Sequence, residues 1–260
     1  MKCSDIMVKL EELSPVSYAE SWDNVGLLTG RSDKEIHSVM LAVDATSAVI
    51  RQAVSAQVDL LLTHHPLLFS PQKRICQEDF IGKRLLELIG HDINYYAMHT
   101  NFDVMGMADA AADELDLKNR DVMIVTCEED GAKEGLGRVG DLPYPMTLKE
   151  CAEYVKSVFS LEQVMVYGDP ARVVEKMAVL PGSGKDEIQD AIAAGAQVYL
   201  TGDLGHHAGI DAIEQGLCMI DAGHFGLEKI FVPYMQEFFR REFPQLEVRA
   251  AQEKAPFTVI

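Results

Sequence analysis

The stretch LLLTHHP, residues 60–66, predicts a buried strand that ends in two histidines. A short unbroken apolar run is typical of a strand covered on both faces, and Pro66 cannot donate a ladder hydrogen bond, which ends the strand. Neighbouring strand residues point to opposite faces, so His64 and His65 reach one site only beyond the last ladder hydrogen bond. Neutral imidazole binds divalent metals and exchanges protons near neutral pH. The end of this strand is therefore a candidate functional site.

Similar short apolar runs alternate with longer segments of helical period along the rest of the chain. This alternation predicts a parallel α/β arrangement. A first helix is expected at residues 6–12. The strands are expected at 39–43, 58–63, 93–98, 176–180, 197–200 and 218–221, and the other helices at 47–57, 78–89, 107–117, 185–194, 208–215 and 226–243.

The second half of the chain repeats the order of the first. Residues 59–64 align with residues 197–202, and a strand–helix–strand unit leads into each. We therefore predict two similar α/β lobes with mixed or parallel sheets from an internal duplication, at residues 1–125 and 126–260. The boundary is expected within 120–145, with a final helix that is free to pack across both lobes. The alternative is that any two βαβ units look alike.

The composition argues against several classes of protein. The chain has 260 residues, with 41 acidic against 23 basic residues and a net charge of -18. This balance disfavours a nucleic-acid surface, which needs clustered Lys and Arg, and equally an anionic membrane. The five cysteines are scattered without a C-x-x-C pair, and no apolar stretch approaches the ~20 residues of a membrane span. We expect a cytoplasmic protein, and the charge does not exclude a small anionic ligand in a cleft that a bound metal neutralises.

Polar residues gather at the predicted strand ends, where ligands of α/β sheets bind. Six of the eight histidines lie there. If a helix begins near His224, His224 and Glu228 share one face and can bind one metal. With His64, His65 and Asp103 they make three imidazoles and two carboxylates, more than one tetrahedral ion requires, which favours two bridged ions. Such nitrogen and oxygen ligands suit Zn, Mn, Fe, Co or Ni rather than Mg or Ca.

Each of these residues also has a plainer interpretation. The histidine pair could be a satisfied strand terminus, Asp103 a helix N-cap, and Glu228 a carboxylate that answers a helix dipole. Trp22 is expected to close a core, with Asp23 and Asn24 in a turn, and base stacking is the alternative. The stretch PGSGKD at 181–186 resembles a phosphate loop but lacks the first glycine and the Ser or Thr that would bind magnesium.

Six ordered motifs carry a resemblance to a known family. They are SWDNVGL at 21–27, LTHHP at 62–66, HTNFD at 99–103, GLGRVG at 135–140, TGD at 201–203 and GHFGLE at 223–228. On these motifs, which are spread over almost the whole chain, the sequence resembles the NIF-three-like family, whose members are also called GTP cyclohydrolase 1 type 2 homologs.

The resemblance implies divalent-metal ligands at His64, His65, Asp103, His224 and Glu228, with Glu228 as the bridge. It also implies two α/β lobes with the metals in the cleft between them, and a toroidal homohexamer. Some members of the family carry a further domain inserted mid-chain. This chain has only a short turn at 128–135 there, so properties that depend on the insert are not carried over.

The expected function is hydrolysis by metal-activated water, either a GTP cyclohydrolase-like reaction or phosphoester cleavage, with a small nucleotide as the substrate. His99, His206 and His207 are candidates for proton transfer or for orienting the ligands. Trp22, Asn24 and Asp203 are candidates for substrate binding. The alternatives are a protein that binds or handles metal without turnover, and a regulatory scaffold.

Overall fold

The computed structural model describes residues 1–129 and 131–259, which form two compact units. The first unit contains residues 1–102 and 231–260, and the second contains residues 103–230. The sequence-based lobes, 1–125 and 126–260, stay a prediction about domains, and they differ from the compact units at both ends of the second unit. The final helix lies in the first unit, and residues 103–125 lie in the second.

The helices and strands alternate as expected. The helices are α1 Cys3–Leu13, α2 Ser47–Ser55, α3 Phe80–Gly90, α4 Thr100–Phe102, α5 Ala108–Glu114, α6 Leu148–Val158, α7 Ile188–Ala193, α8 His206–Glu214, α9 His224–Glu228 and α10 Phe231–Glu242. The strands are β1 Gly26–Thr29, β2 Ser38–Ala42, β3 Leu60–Thr63, β4 Asn94–Ala97, β5 Lys118–Glu129, β6 Ala132–Thr147, β7 Met165–Tyr167, β8 Val173–Ser183, β9 Val198–Gly202, β10 Cys218–Asp221 and β11 Glu247–Ala250.

The first unit is built on a five-stranded sheet with the order β1-β4-β3-β2-β11. Strands β2, β3 and β4 are parallel, β11 is parallel to β2, and β1 pairs antiparallel with β4. All residues of β3 and β4 are buried, as an unbroken apolar run predicts for central strands. Helix α2 begins after Thr46, whose side chain accepts a hydrogen bond from the Val49 amide.

The second unit is built on a six-stranded sheet with the order β5-β6-β8-β9-β10-β7. Strands β8, β9 and β10 are parallel, β7 pairs antiparallel with β10, and β5 and β6 form an antiparallel hairpin. Both units therefore contain a helix, an antiparallel edge strand and three parallel strands joined by helices, in the same order along the chain. The prediction of two α/β lobes with mixed sheets is confirmed.

One contact repeats residue for residue in the two units. The Asp59 carboxylate accepts hydrogen bonds from the amides of His37 and Ser38, and the Gln197 side chain accepts from the amides of Glu175 and Lys176. In both units the donors lie one and two residues before the first residue that pairs with the next parallel strand, Val39 in β2 and Met177 in β8. This repeat is the arrangement that an internal duplication predicts.

The prediction of one final helix over residues 226–243 is wrong, because the segment forms α9 and α10 with a break between them. Pro233 lies in the first turn of α10. A continuous helix would lose the hydrogen bond of residue 233 and would press its ring against the carbonyl of Lys229, whereas proline is accepted in a first turn. Two shorter helices avoid that cost.

None of the helices in the described part of the chain is long and apolar enough to cross a membrane. All five cysteines are free thiols, which agrees with the absence of paired spacings in the sequence.

Candidate metal centre

Three histidines of the first unit converge at the ends of β3 and β4. His64 and His65 follow β3 and His99 follows β4. The ring centroids lie 4.8 Å apart for His64 and His65, 5.3 Å for His64 and His99, and 5.4 Å for His65 and His99. One ring nitrogen from each lies within 4.8 Å of the others, a spacing that three ligands of one metal could adopt after small movements. The predicted meeting of the two adjacent histidines at one site is confirmed.

The turn after β3 is fixed by the phenol of Tyr95. Its hydroxyl donates to the His65 carbonyl (2.9 Å) and accepts from the Leu67 amide (2.8 Å). Burial raises the pKa of Tyr95, so the phenol keeps its proton at every working pH. The His65 carbonyl and the Leu67 amide, which flank Pro66 and lie outside the sheet, therefore both have a hydrogen-bond partner. These hydrogen bonds hold the turn from which the two imidazoles project.

Each of these imidazoles is held through Nδ1 by an acceptor. Nδ1 lies 2.8 Å from the Met98 carbonyl in His64, 2.9 Å from Asp44 Oδ1 in His65 and 2.9 Å from Asp23 Oδ1 in His99. A carbonyl or carboxylate only accepts, so Nδ1 carries the proton of the neutral ring and Nε2 carries the lone pair. Metal-binding histidines are oriented in this manner. The sequence reasoning missed Asp44 and the Met98 carbonyl as orienting groups.

The partner of His99 is a buried carboxylate. The side chain of Asp23 is 0% exposed and also accepts hydrogen bonds from the amide and the hydroxyl of Thr100, at 3.0 and 2.6 Å. Burial acts to raise the pKa of Asp23, but the hydrogen bonds from His99 and Thr100 outweigh it and hold that pKa well below its usual value. Asp23 is therefore a fixed negative charge behind His99.

The loop that carries Asp44 is held by hydrogen bonds to Glu253, in the segment after β11. The Glu253 carboxylate accepts hydrogen bonds from the amides of Val43 (2.7 Å) and Asp44 (3.0 Å). Burial raises the pKa of Glu253, while these two amides favour its charged form. The segment after β11 therefore positions the carboxylate that orients His65.

In the second unit, α9 presents His224 and Glu228 from successive turns of one face. His224 Nε2 lies 3.1 Å from Glu228 Oε2, and His224 Nδ1 lies 2.8 Å from Asp203 Oδ2. The i, i+4 geometry expected for a helix that begins near His224 is confirmed. Both nitrogens of one imidazole face carboxylates, and Glu228 is buried. A divalent cation would neutralise this excess of negative charge.

Two glycines make room for this helix. A Cβ on Gly182 would lie 2.7 Å from Glu228 Oε1, and a Cβ on Gly202 would lie 2.5 Å from the backbone nitrogen of His224. Residues 181–183 belong to β8, so the strand extends into the stretch that resembles a phosphate loop. Within this glycine-rich stretch, Gly182 leaves the space that the Glu228 carboxylate occupies.

The other predicted residues lie in defined places. Asp103 begins a π-helical turn, Asp103–Met107, and such turns are frequent at functional sites. His206 and His207 lie exposed in the first turn of α8, with their rings 5.3 Å apart. Asp203 orients His224, and its assignment to substrate stays a prediction, as do the proton-transfer roles of His99, His206 and His207. Trp22 is 61% exposed and therefore does not close a core.

Comparison with known proteins gives the family. The model of the family Duf34/NIF3 (NGG1p interacting factor 3) matches residues 1–256. The chain belongs to the DUF34/NIF3 family. A Clostridium perfringens relative named GTP cyclohydrolase 1 type 2 homolog is 35% identical over the full length of both chains, and a Methanocaldococcus jannaschii protein of the same name is 35% identical over 92% of this chain and 94% of its own. The predicted family membership is confirmed.

Solved structures of the family share the fold. A Bacillus cereus protein related to NIF3 superposes with a TM-score of 0.92 at 25% identity, covering 100% of this chain and 99% of its own. The Staphylococcus aureus protein SA1388 gives a TM-score of 0.91 at 30% identity, covering 100% of this chain and 99% of its own. Reduced HcgD from Methanocaldococcus jannaschii gives 0.82 at 34% identity, covering 97% of this chain and 98% of its own. The fold of this chain is therefore that of the NIF3 proteins.

Proposed function

We propose that this DUF34/NIF3 protein is a hydrolase that depends on two divalent transition-metal ions. The observation that carries the proposal is the shared orientation of four histidines, His64, His65, His99 and His224, each held through Nδ1 by a carbonyl or a carboxylate. His91 makes the same Nδ1 contact without being near other ligands, so the contact points to a metal where rings also converge, as those of His64, His65 and His99 do.

The donor set fits such ions. Neutral imidazole nitrogens and carboxylates are the ligands of Zn, Mn, Fe, Co and Ni, and the pocket that Gly182 leaves for Glu228 keeps that carboxylate in place. The family resemblance assigns His64, His65, Asp103, His224 and Glu228 to one dinuclear centre with Glu228 as its bridge, and the proposal adopts that assignment. His99 is then a neighbour of the centre rather than one of its five ligands.

An ion held by these residues would lower the pKa of bound water toward about 7 and would polarise the bond under attack. His99 is placed to accept a proton at Nε2, because its Nδ1 proton is already held by the buried carboxylate of Asp23. The imidazolium that results is stabilised by the fixed charge of Asp23, as in other histidine–aspartate pairs.

The substrate class follows from the relatives. Their printed name, GTP cyclohydrolase 1 type 2 homolog, supports opening of a nucleotide ring as the first reaction to assay, with phosphoester cleavage as the second. Metal-activated water serves both reactions, so the products distinguish them: formate for the ring opening and phosphate for the ester.

The metal content is tested first. Native protein purified without chelators is expected to hold two transition-metal ions per chain by elemental analysis. His64→Ala is expected to lose at least one ion. Its matched control is His91→Ala, since His91 Nδ1 also lies 2.8 Å from a backbone carbonyl, that of Glu87, yet it lies outside the site. Asp44→Ala, which removes the acceptor that orients His65 and none of the proposed ligands, is expected to weaken metal binding by about 10–100-fold.

Turnover is tested on the same samples with GTP and with generic phosphoesters. Release of formate or phosphate that His64→Ala abolishes and His91→Ala retains would support the hydrolase. If no metal is present and none binds on titration, the proposed ligand set is wrong. If two ions bind and neither product forms, the protein handles metal without turnover, and the hydrolase proposal falls while the ligand set stands.

A further inference from the structure

Two large aromatic side chains remain exposed against the same imidazole. Trp22 is 61% exposed and Phe69 is 54% exposed. Their ring centroids lie 6.0 and 5.6 Å from that of His99, with interplanar angles of 73° and 89°. Aromatic rings of this size gain most from burial, so two of them left in solvent around one candidate proton-transfer group mark a surface that a ligand can cover.

Both aromatic residues sit on segments that are firmly tied. Asp23, next to Trp22, is anchored to His99 and Thr100 by hydrogen bonds of 2.6 to 3.0 Å. The Asn24 side chain donates to the Leu68 carbonyl at 2.7 Å, and Leu68 is the neighbour of Phe69. The two segments are therefore joined to each other and to His99, and a ligand would not have to order them on binding.

We propose that Trp22 and Phe69 form a binding site for the planar heteroaromatic ring of a small molecule, held beside His99. The inference deepens the proposed function, on which it rests, because a ring bound here lies next to the histidines assigned to the metal centre. Trp22 and Phe69 supply aromatic surface for stacking, and His99 Nε2 supplies an acceptor for a ring N–H. An aliphatic ligand would use neither the stacking surface nor the acceptor.

The charge of the chain selects a free small molecule over a nucleic acid. The net charge is -18, and the buried carboxylate of Asp23 lies directly behind His99. A polyanionic strand would gain no counterion release from such a negative surface. A single uncharged ring is repelled little by the same surface. The ligand class is therefore a nucleobase-like heterocycle rather than an oligonucleotide.

Trp22 is the chain's single tryptophan, so the intrinsic fluorescence of the protein reports on this site alone. Metal-loaded full-length protein is titrated with guanosine, with GTP and with ribose 5-phosphate. Guanosine and GTP are expected to change the tryptophan emission and to saturate, because both carry the ring. Ribose 5-phosphate is expected to leave it unchanged. An equal response to ribose 5-phosphate, or no response to guanosine, would overturn the inference.

Variants locate the effect by calorimetry with guanosine. Trp22→Ala and Phe69→Ala are each expected to raise the dissociation constant about ten-fold, as for loss of one base–aromatic stack, whereas Trp22→Phe retains most of the affinity. Phe257→Ala is the matched control, since Phe257 is an equally exposed ring, 62%, remote in sequence. Unchanged affinity in both alanine variants would overturn the inference. So would a change of oligomeric state in Trp22→Ala, since a second copy of the chain would then be what covers the rings.

Metal analysis of the same samples separates the two proposals. Protein that binds guanosine through Trp22 but holds no metal would sustain the aromatic site and defeat the hydrolase. Protein that holds two ions per chain but fails to bind guanosine or GTP would defeat the aromatic site and leave the proposed metal ligands standing.

Discussion

A single methyl group added at Gly182 tests whether the Glu228 carboxylate belongs to a metal centre. Gly182 lies in β8 with φ +84°, and a Cβ built there would lie 2.7 Å from Glu228 Oε1. Ordinary contacts to a Cβ are wider, so in Gly182→Ala the carboxylate has to move. Because Glu228 is only 3% exposed, it has little room in which to do so.

Gly182→Ala is expected to lower the free energy of unfolding for two reasons, and a matched variant separates them. An alanine with positive φ costs about 1–2 kcal/mol of unfolding free energy wherever it is placed. Gly216 has nearly the same φ, +85°, with open space around its Cβ position, so Gly216→Ala carries the backbone cost alone. The thermal midpoint of metal-free protein is expected to fall by about 2–8 °C in Gly216→Ala. The midpoint of Gly182→Ala is expected to fall at least as far, because displacement of the Glu228 carboxylate destabilises the folded state further.

Metal affinity is the property that divides the two variants. Titration calorimetry with Zn²⁺ or Mn²⁺ is expected to show wild-type affinity in Gly216→Ala. In Gly182→Ala we expect a loss of about 10–100-fold, the range seen when a ligand is misplaced by its surroundings. Equal metal affinity in the two variants would refute the reasoning, because it would mean that the position of the Glu228 carboxylate does not matter to metal binding.

Three further predictions concern stability and assembly. Asp23→Asn is expected to destabilise the protein at pH 7. The difference in unfolding free energy between wild type and Asp23→Asn is expected to shrink as the pH falls below about 4. A carboxylate whose pKa is lowered in the folded state stabilises the protein fully above its unfolded-state pKa and loses that effect as the pH falls below it. Urea unfolding at pH values from about 7 to about 3 measures the difference. Arg138 is buried and pairs bidentately with Asp109 and singly with Glu134, so Arg138→Ala is expected to cost about 3 kcal/mol in urea unfolding, and Arg138→Lys less. Sedimentation velocity is expected to give about six chain masses, the hexamer that the family resemblance implies, and a monomer would contradict it.

The central strands were predictable from the sequence and the edge strands were not. Strands β2, β3, β4, β9 and β10 are almost completely buried, so their apolar runs stand out from the neighbouring segments. The edge strands β1, β7 and β11 are three or four residues long, and most of their residues are half-buried or exposed, so they carry no such signal. The hydrogen bonds of a neighbouring strand hold them in place, which is information that a local pattern does not contain.

The same division applies to the candidate site. Strand ends and the i, i+4 spacing indicated His64, His65, His224 and Glu228, because these residues lie where a strand or a helix turn places them. The orienting carboxylates are distant in sequence, 76 residues for Asp23 and His99 and 21 for Asp44 and His65, and each follows from the tertiary fold. Asp23 in particular looks like a turn residue, and its burial under His99 gives it a second role.

Equivalent positions in the two units carry different residues for a structural reason. Thr63 pairs with Ala97 and Thr201 pairs with Asp221, so His64 in the first unit corresponds to Gly202 in the second. In the first unit that position supplies an imidazole. In the second, the helix after β10 begins so close to it that a Cβ would lie 2.5 Å from the His224 nitrogen, and only glycine leaves the space. The first unit therefore presents its histidines mainly from the end of β3. The second unit has Gly202 at the equivalent position, which leaves space for α9 to present a histidine and a carboxylate after β10.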